Sequence, residues 1–115
     1  MRRVIVESPY GARNNDGSRN EEQVNANVAY ARRCLADCLR RGEAPFASHL
    51  LYTQDGVLRD EDNDERTSGI NAGFAWHECA DAVTVYMDLG VSSGMKAGID
   101  NARRLGLPIE ERYLD

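Results

Sequence analysis

The residues of this chain best placed to meet a ligand are Ser8, Pro9, Tyr10, Arg13, His49, Asp88, Ser92, Ser93, Gly94 and Met95. Most of them stand in or beside turns that directly follow short apolar runs. Ser92 and Ser93 can cap a helix, and Gly94 lets a backbone approach a ligand closely. Free N–H groups at such a helix start favour an anion or a sugar hydroxyl. Arg13 suits a phosphate or open water, and His49 suits either a ligand contact or a hydrogen bond to a neighbouring loop. Asp88 is a carboxylate at a strand end, with capping of its own loop as the simpler role.

Metal and redox chemistry find little support. Asp60, Asp62 and Asp64 have the spacing of a calcium loop, but Glu65 stands where the sharp turn needs glycine and Asn71 where a bidentate carboxylate is required. The stretch from Tyr52 to Asp64 therefore reads as a long, solvated acidic connection able to fold over a ligand. Cys34 and Cys38 lie one helical turn apart and suit helix packing. No cofactor or metal is required.

The elements that must position these residues follow from apolar patterning. Arg3 to Glu7 (RVIVE) reads as a strand that stops at Ser8-Pro9-Tyr10-Gly11, and Ala12 to Asn20 as a polar, mobile flap over the strand ends. Asn20 caps a helix whose apolar stripe is Val24, Val28, Ala31, Leu35 and Cys38, and which ends at Arg40-Arg41-Gly42. Asn27 and Tyr30 fall near its polar boundary, on solvated surface or within reach of a partner subunit. Ala44 to Ser48 reads as a second strand with His49 directly after it.

Glu65 to Ala80 reads as a helix weakened by Gly69 and Gly73, two residues that imply close approach by a neighbour or a ligand. Trp76 on it suits the core or a dimer contact better than a stacking surface. The central stretch is Asp81 to Asn101. Val83, Val85 and Met87 belong to a strand buried on both faces, a Gly-Ser turn follows, and Ile99, Ala102 and Leu105 recur at helical spacing. Ile109 to Leu114 supplies a last edge strand. The order β-α-β-α-β-α-β implies an α/β fold, a three-layer Rossmann-like or flavodoxin-like parallel sheet with ligands at the carboxyl ends of its strands.

At 115 residues the chain suits a single domain, 1–115. A net charge of −5 with scattered basic residues argues against nucleic acid polymers as partners. The odd cysteine count and the lack of a membrane-length apolar run point to a reduced, cytoplasmic protein with no membrane partner.

Ser8-Pro9-Tyr10, the Pro45-Phe46 strand leading to His49-Leu50, the Trp76-x-x-Cys79-x-Asp81-Ala82 approach and Ser93-Gly94-Met95-Lys96 together resemble the nucleoside 2-deoxyribosyltransferase-like family, especially its short, often phage-encoded members of unassigned function. The resemblance implies N-glycosidic chemistry on deoxynucleosides or their monophosphates, a pocket completed in a homodimer or higher oligomer, and a 5′-phosphate received near Ser92 to Gly94. It also implies a glutamate on the last helix that attacks C1′ and an aspartate on the preceding helix that protonates the base. Those two places fall on Gly98 and Gly73. Losing both carboxylates is expected to widen the pocket and remove negative charge.

Among substitute carboxylates Asp88 is the best placed, since Asp100 points about 160° away from Gly98 around the helix. The resulting expectation is a protein that binds a nucleotide or nucleotide derivative, and could thereby sequester a nucleotide signal. The alternative is an active deoxyribosyltransferase or N-glycosidase using Asp88, and a third is a surface-only interaction protein.

Overall fold

The computed structural model describes residues 1–115. Its strands are β1 (Arg3–Glu7), β2 (Ala44–Phe46), β3 (Ala82–Tyr86) and β4 (Ile109–Arg112), and its helices α1 (Glu21–Arg40), α2 (Ser48–Leu51), α3 (Asn63–His77) and α4 (Ser93–Arg104). All strand pairings are parallel, in the order β2-β1-β3-β4, with Ile5 opposite Val83 and Val83 opposite Ile109. This is the α/β three-layer arrangement that the element order implies, with β4 on an edge. No helix is long and apolar enough to cross a membrane.

Alternation along the central strands splits the core between the two faces of the sheet. Val4, Val6, Ala82 and Tyr86 pack with Tyr30, Cys34 and Cys38 of α1. Ile5, Val83 and Val85 pack with Met95 and Ala102 of α4. Each fully buried valine contributes about 1.5–3 kcal/mol through the apolar surface it withdraws from water. Burial pushes the Cys34 thiol up to about 12, which suits a packing role and no redox one.

Several local expectations are corrected. The second strand is shorter than Ala44 to Ser48, because Ala47 turns the chain and its carbonyl accepts from the N–H groups of Leu50 and Leu51; Ser48 and His49 therefore sit on α2. The last strand ends at Arg112 and not Leu114. Helix α3 starts earlier than Glu65, since Asp62 caps it by accepting from the N–H groups of Asp64 and Glu65. The polar segment from Ala12 to Asn20 is a small hydrogen-bonded hairpin, with Arg13 bridged to Arg19, Asn14 N–H donating to Ser18 and Asn20 N–H to Ala12.

Asn27 and Tyr30 are not surface residues but are buried, at 3% and 5% exposure. Each is turned inward by a polar partner: Asn27 Nδ2 donates to the Tyr10 carbonyl at 2.8 Å, and the Tyr30 hydroxyl to Asp88 at 2.5 Å. Trp76 is outside the core and half exposed, packed on Phe46 with ring centroids 5.5 Å apart and donating to the Tyr52 hydroxyl.

Candidate functional site

The carboxyl end of β1 opens into a cavity of about 320 Å³, closed by the 11–19 hairpin, the 58–61 connection and helices α2, α3 and α4. Parallel strands all present their carboxyl ends on one side, so the loops leaving them converge there. Ser8, Tyr10, Arg13, His49, Ser92, Ser93, Gly94 and Met95 line this one cavity. Pro9 is buried and does not line it.

Asp88 is a correction. It lies outside the cavity, where its carboxylate accepts from the Tyr30 hydroxyl, from the Leu114 N–H at 2.9 Å and from the Asp115 N–H at 3.2 Å. The hydrogen bond from Tyr30, followed by those from the tail backbone, holds its carboxyl below the usual carboxylate range. Asp88 ties the C-terminal residues to α1.

At the end of β1 the chain delivers two polar side chains in succession. Ser8 turns toward α2, where its Oγ lies 2.7 Å from Nε2 of His49. Burial pushes His49 down to about 4, so its ring is neutral at pH 7. Glu7 turns to the other side, against α4. An ideal Cβ on Gly98 would stand 2.2 Å from Glu7 Oε2, so the glutamate occupies the volume that any other residue at position 98 would fill. Glu7 has no hydrogen-bond or ion-pair partner in the protein, and burial raises its carboxyl to about 8.

Gly73 is filled in the same way. Its Cβ would lie 2.8 Å from Ser48 Oγ, while Gly69 is approached by Leu58. The glycines thus serve close packing of α3 against α2 and the 58–61 connection, and the pocket is not widened at either Gly73 or Gly98. The carboxyl group beside α4 at Gly98 comes from Glu7 on β1, and its burial keeps it largely protonated at neutral pH.

The helix start at α4 is built as its sequence implies. Ser92 Oγ accepts from the Met95 N–H at 3.2 Å, which leaves the N–H groups of Ser93 and Gly94 without an intrahelical acceptor. Arg66 reaches this place from α3, its Nη2 lying 3.8 Å from the position of a Cβ on Gly94. Its pairing with Asp60 is loose, at 3.8 Å. Arg19 is held by Glu21 and Glu61, and donates to the Tyr10 hydroxyl.

Sequence reasoning missed Glu7, Ser48, Arg66 and His77 as cavity residues. For Glu7 a signal existed: it is the one acid in the otherwise apolar end of the strand, immediately before Ser8. Arg66 and His77 had none, since their orientation depends on how α3 crosses the strand ends. His77 donates or accepts through Nδ1 with Asn101 at 2.8 Å, which joins α3 to α4.

The profile of a domain of unknown function, DUF7768, matches residues 2–112. The chain belongs to this family. The DUF7768 chain also superposes on a solved structure of 2-deoxyribosyltransferase from the psychrotolerant bacterium Bacillus psychrosaccharolyticus, with a TM-score of 0.61 and 20% identity over 96% of this chain and 72% of that one. The DUF7768 domain therefore has a deoxyribosyltransferase-like fold. No curated protein matches it.

Proposed function

We propose that the strand-end cavity of this DUF7768 chain binds a nucleotide or nucleotide derivative. The observation that carries the reading is the junction of α3 and α4, where the loosely paired Arg66 guanidinium lies 3.8 Å from the place of a Cβ on Gly94, and Arg66, Ser93 and Gly94 line the same cavity. A cation and a helix N-terminus together suit a phosphate. Tyr10, Tyr52 and Phe74 line the same space and offer aromatic surface to a base. The deoxyribosyltransferase-like fold supports a nucleoside-type ligand over other anions.

Binding without cleavage suits a protein that sequesters a nucleotide signal. Cleavage would need a carboxylate other than Asp88. The half-exposed Trp76 and Leu51 support a homodimer, which sedimentation would test.

The test of ligand class is a thermal-shift panel of deoxynucleosides, nucleoside 5′-monophosphates and cyclic or ADP-ribose-type nucleotides. At least one nucleotide is expected to raise the melting temperature of the chain and to lose that effect in Arg66→Ala. A panel with no stabilising member refutes the reading.

A further inference from the structure

We propose that Glu7 selects the sugar of the ligand: its carboxyl group takes the vicinal 2′- and 3′-hydroxyls of a ribose, so the cavity holds ribonucleotides in preference to 2′-deoxyribonucleotides. The proposal rests on the nucleotide-binding reading and names the ligand class within it.

Glu7 is the carboxyl group of the cavity that the protein itself leaves unmatched. Of the other two that line it, Asp60 lies against Arg66 and Glu61 against Arg19. Ser8 and His49 face each other at 2.7 Å, and His77 is joined through Nδ1 to Asn101. None of these groups reaches Glu7, which has neither an ion pair nor a hydrogen bond and is strongly desolvated. A polar group withdrawn from water without a partner carries a cost, and a ligand that supplies the partner recovers it. The fold also fixes where that ligand group must stand. Gly98 gives the carboxyl its room, a Cβ there would collide with it, and both residues line the cavity.

Helix α4 relates this place to the phosphate end. Gly94 and Gly98 are four residues apart, so they share one face of the helix and stand about 6 Å apart along its axis. Gly94 is the position that Arg66 approaches, its Nη2 lying 3.8 Å from the place of a Cβ there. In a 5′-nucleotide a single CH₂–O link joins the phosphate to the sugar ring, and the base lies beyond the ring. The group one helical turn from the phosphate is therefore the sugar. Tyr10, Tyr52 and Phe74, which line the same cavity, are left for the base.

Hydroxyls suit Glu7 better than a cation does. A positive ligand group at Glu7 would stand about one turn from Arg66 and from the positive end of α4, and both repel it. A carboxyl group has two oxygens side by side, and a ribose has two hydroxyls on adjacent carbons. Ionised, Glu7 accepts from both hydroxyls; protonated, it accepts from one and donates to the other. In either state ribose occupies both oxygens. A 2′-deoxyribose has only one of those hydroxyls, so it leaves one oxygen unpaired and away from water.

The experiment takes the full chain and the 5′-monophosphates of adenosine, guanosine, cytidine and uridine, each with its 2′-deoxy counterpart, and measures Kd by calorimetry. In wild type the best-bound pair is expected to favour the ribonucleotide by about 10-fold or more. Glu7→Ala should bring that ratio close to one. Glu7→Gln keeps a donor and an acceptor side by side and should retain part of the preference. The 3′-deoxy analogue of the best ribonucleotide should also bind wild type about 10-fold more weakly, a measurement that stands even where Glu7→Ala does not fold. Equal affinity of wild type for the two sugars, or a preference for 2′-deoxyribose, overturns the proposal and leaves the nucleotide reading standing. So does a folded Glu7→Ala protein that keeps the full preference. If no nucleotide of either sugar binds, both fail.

Discussion

An ideal Cβ on Gly98 of α4 would lie 2.2 Å from Oε2 of Glu7 on β1 and 2.6 Å from its carboxyl carbon. Helix and strand are thus locked in a pairwise relation, in which a missing side chain on one makes room for a long side chain on the other. Gly98→Ala must push the flexible carboxyl end of Glu7 toward the cavity, a small cost set against the about 1 kcal/mol that alanine gains over glycine inside a helix. Glu7→Ala removes the obstacle. The double variant should therefore be more stable than the sum of the two single effects implies, and simple additivity would refute the contact.

The same carboxylate makes stability depend on pH in an unusual sense. A carboxyl whose folded value of about 8 lies above its unfolded value keeps its proton in the native state after the unfolded chain has lost it. Stability attributable to Glu7 is hence intact below the unfolded value and declines as pH rises to about 8. Glu7→Gln should be similar to wild type near pH 4 and more stable than it at pH 8 to 9, by up to a few kcal/mol since one unit is about 1.4 kcal/mol. His49, with its folded value pushed down to about 4, acts in the opposite sense and only in acid, where it lowers stability as pH falls below its unfolded value. Equal pH slopes for the two proteins above pH 6 would show that Glu7 is not buried as described.

Asp88 is a carboxylate with a structural part. It holds Leu114, Asp115 and Tyr30 together outside the cavity. Asp88→Ala should lower the melting temperature and increase amide exchange at Leu114, with ligand-induced thermal shifts unchanged. Loss of those shifts in a folded Asp88→Ala protein would return this residue to the site.

Arg112 binds Glu43 through both terminal nitrogens, each at 2.7 Å, with both residues 7% exposed. That hydrogen-bonded pair holds the Glu43 carboxyl below the usual range. Arg112→Met leaves a buried carboxylate with only Arg2 beside it, and about 3–5 kcal/mol should be lost in urea denaturation. Replacing both partners by Met should cost much less than Arg112→Met alone, and an equal loss would show that packing and not charge is at stake.

The sheet was legible because its signals are local. RVIVE and AVTVY are short β-branched runs, and Asn20 and Ser92 are caps whose side chains accept from Gln23 and Met95 N–H groups as their spacing implies. Glycine past α1 marks its end, with Gly42 at φ 79°. What failed to show depends on elements crossing in space. Tyr30 and Asn27 look polar on a helical wheel, yet each is buried by a partner 58 or 17 residues away. Gly73 and Gly98 read as lost carboxylates, and only the packing of α2 and β1 against them shows Ser48 and Glu7 in the vacated volumes.

Gly94 offers the cleanest test of where the ligand lies. A Cβ there would meet nothing closer than Arg66 Nη2 at 3.8 Å and Ser92 Oγ at 4.0 Å, so the position has open space toward the cavity. It also lies in the first turn of α4, where no intrahelical hydrogen bond from its N–H is lost. Gly94→Trp should therefore fold with a melting temperature near that of wild type while filling the phosphate end of the cavity. Nucleotide-induced thermal shifts should vanish in this variant, and those of deoxynucleosides lacking a phosphate should fall less. Undiminished nucleotide binding by folded Gly94→Trp would move the phosphate away from α4, whatever part Glu7 plays.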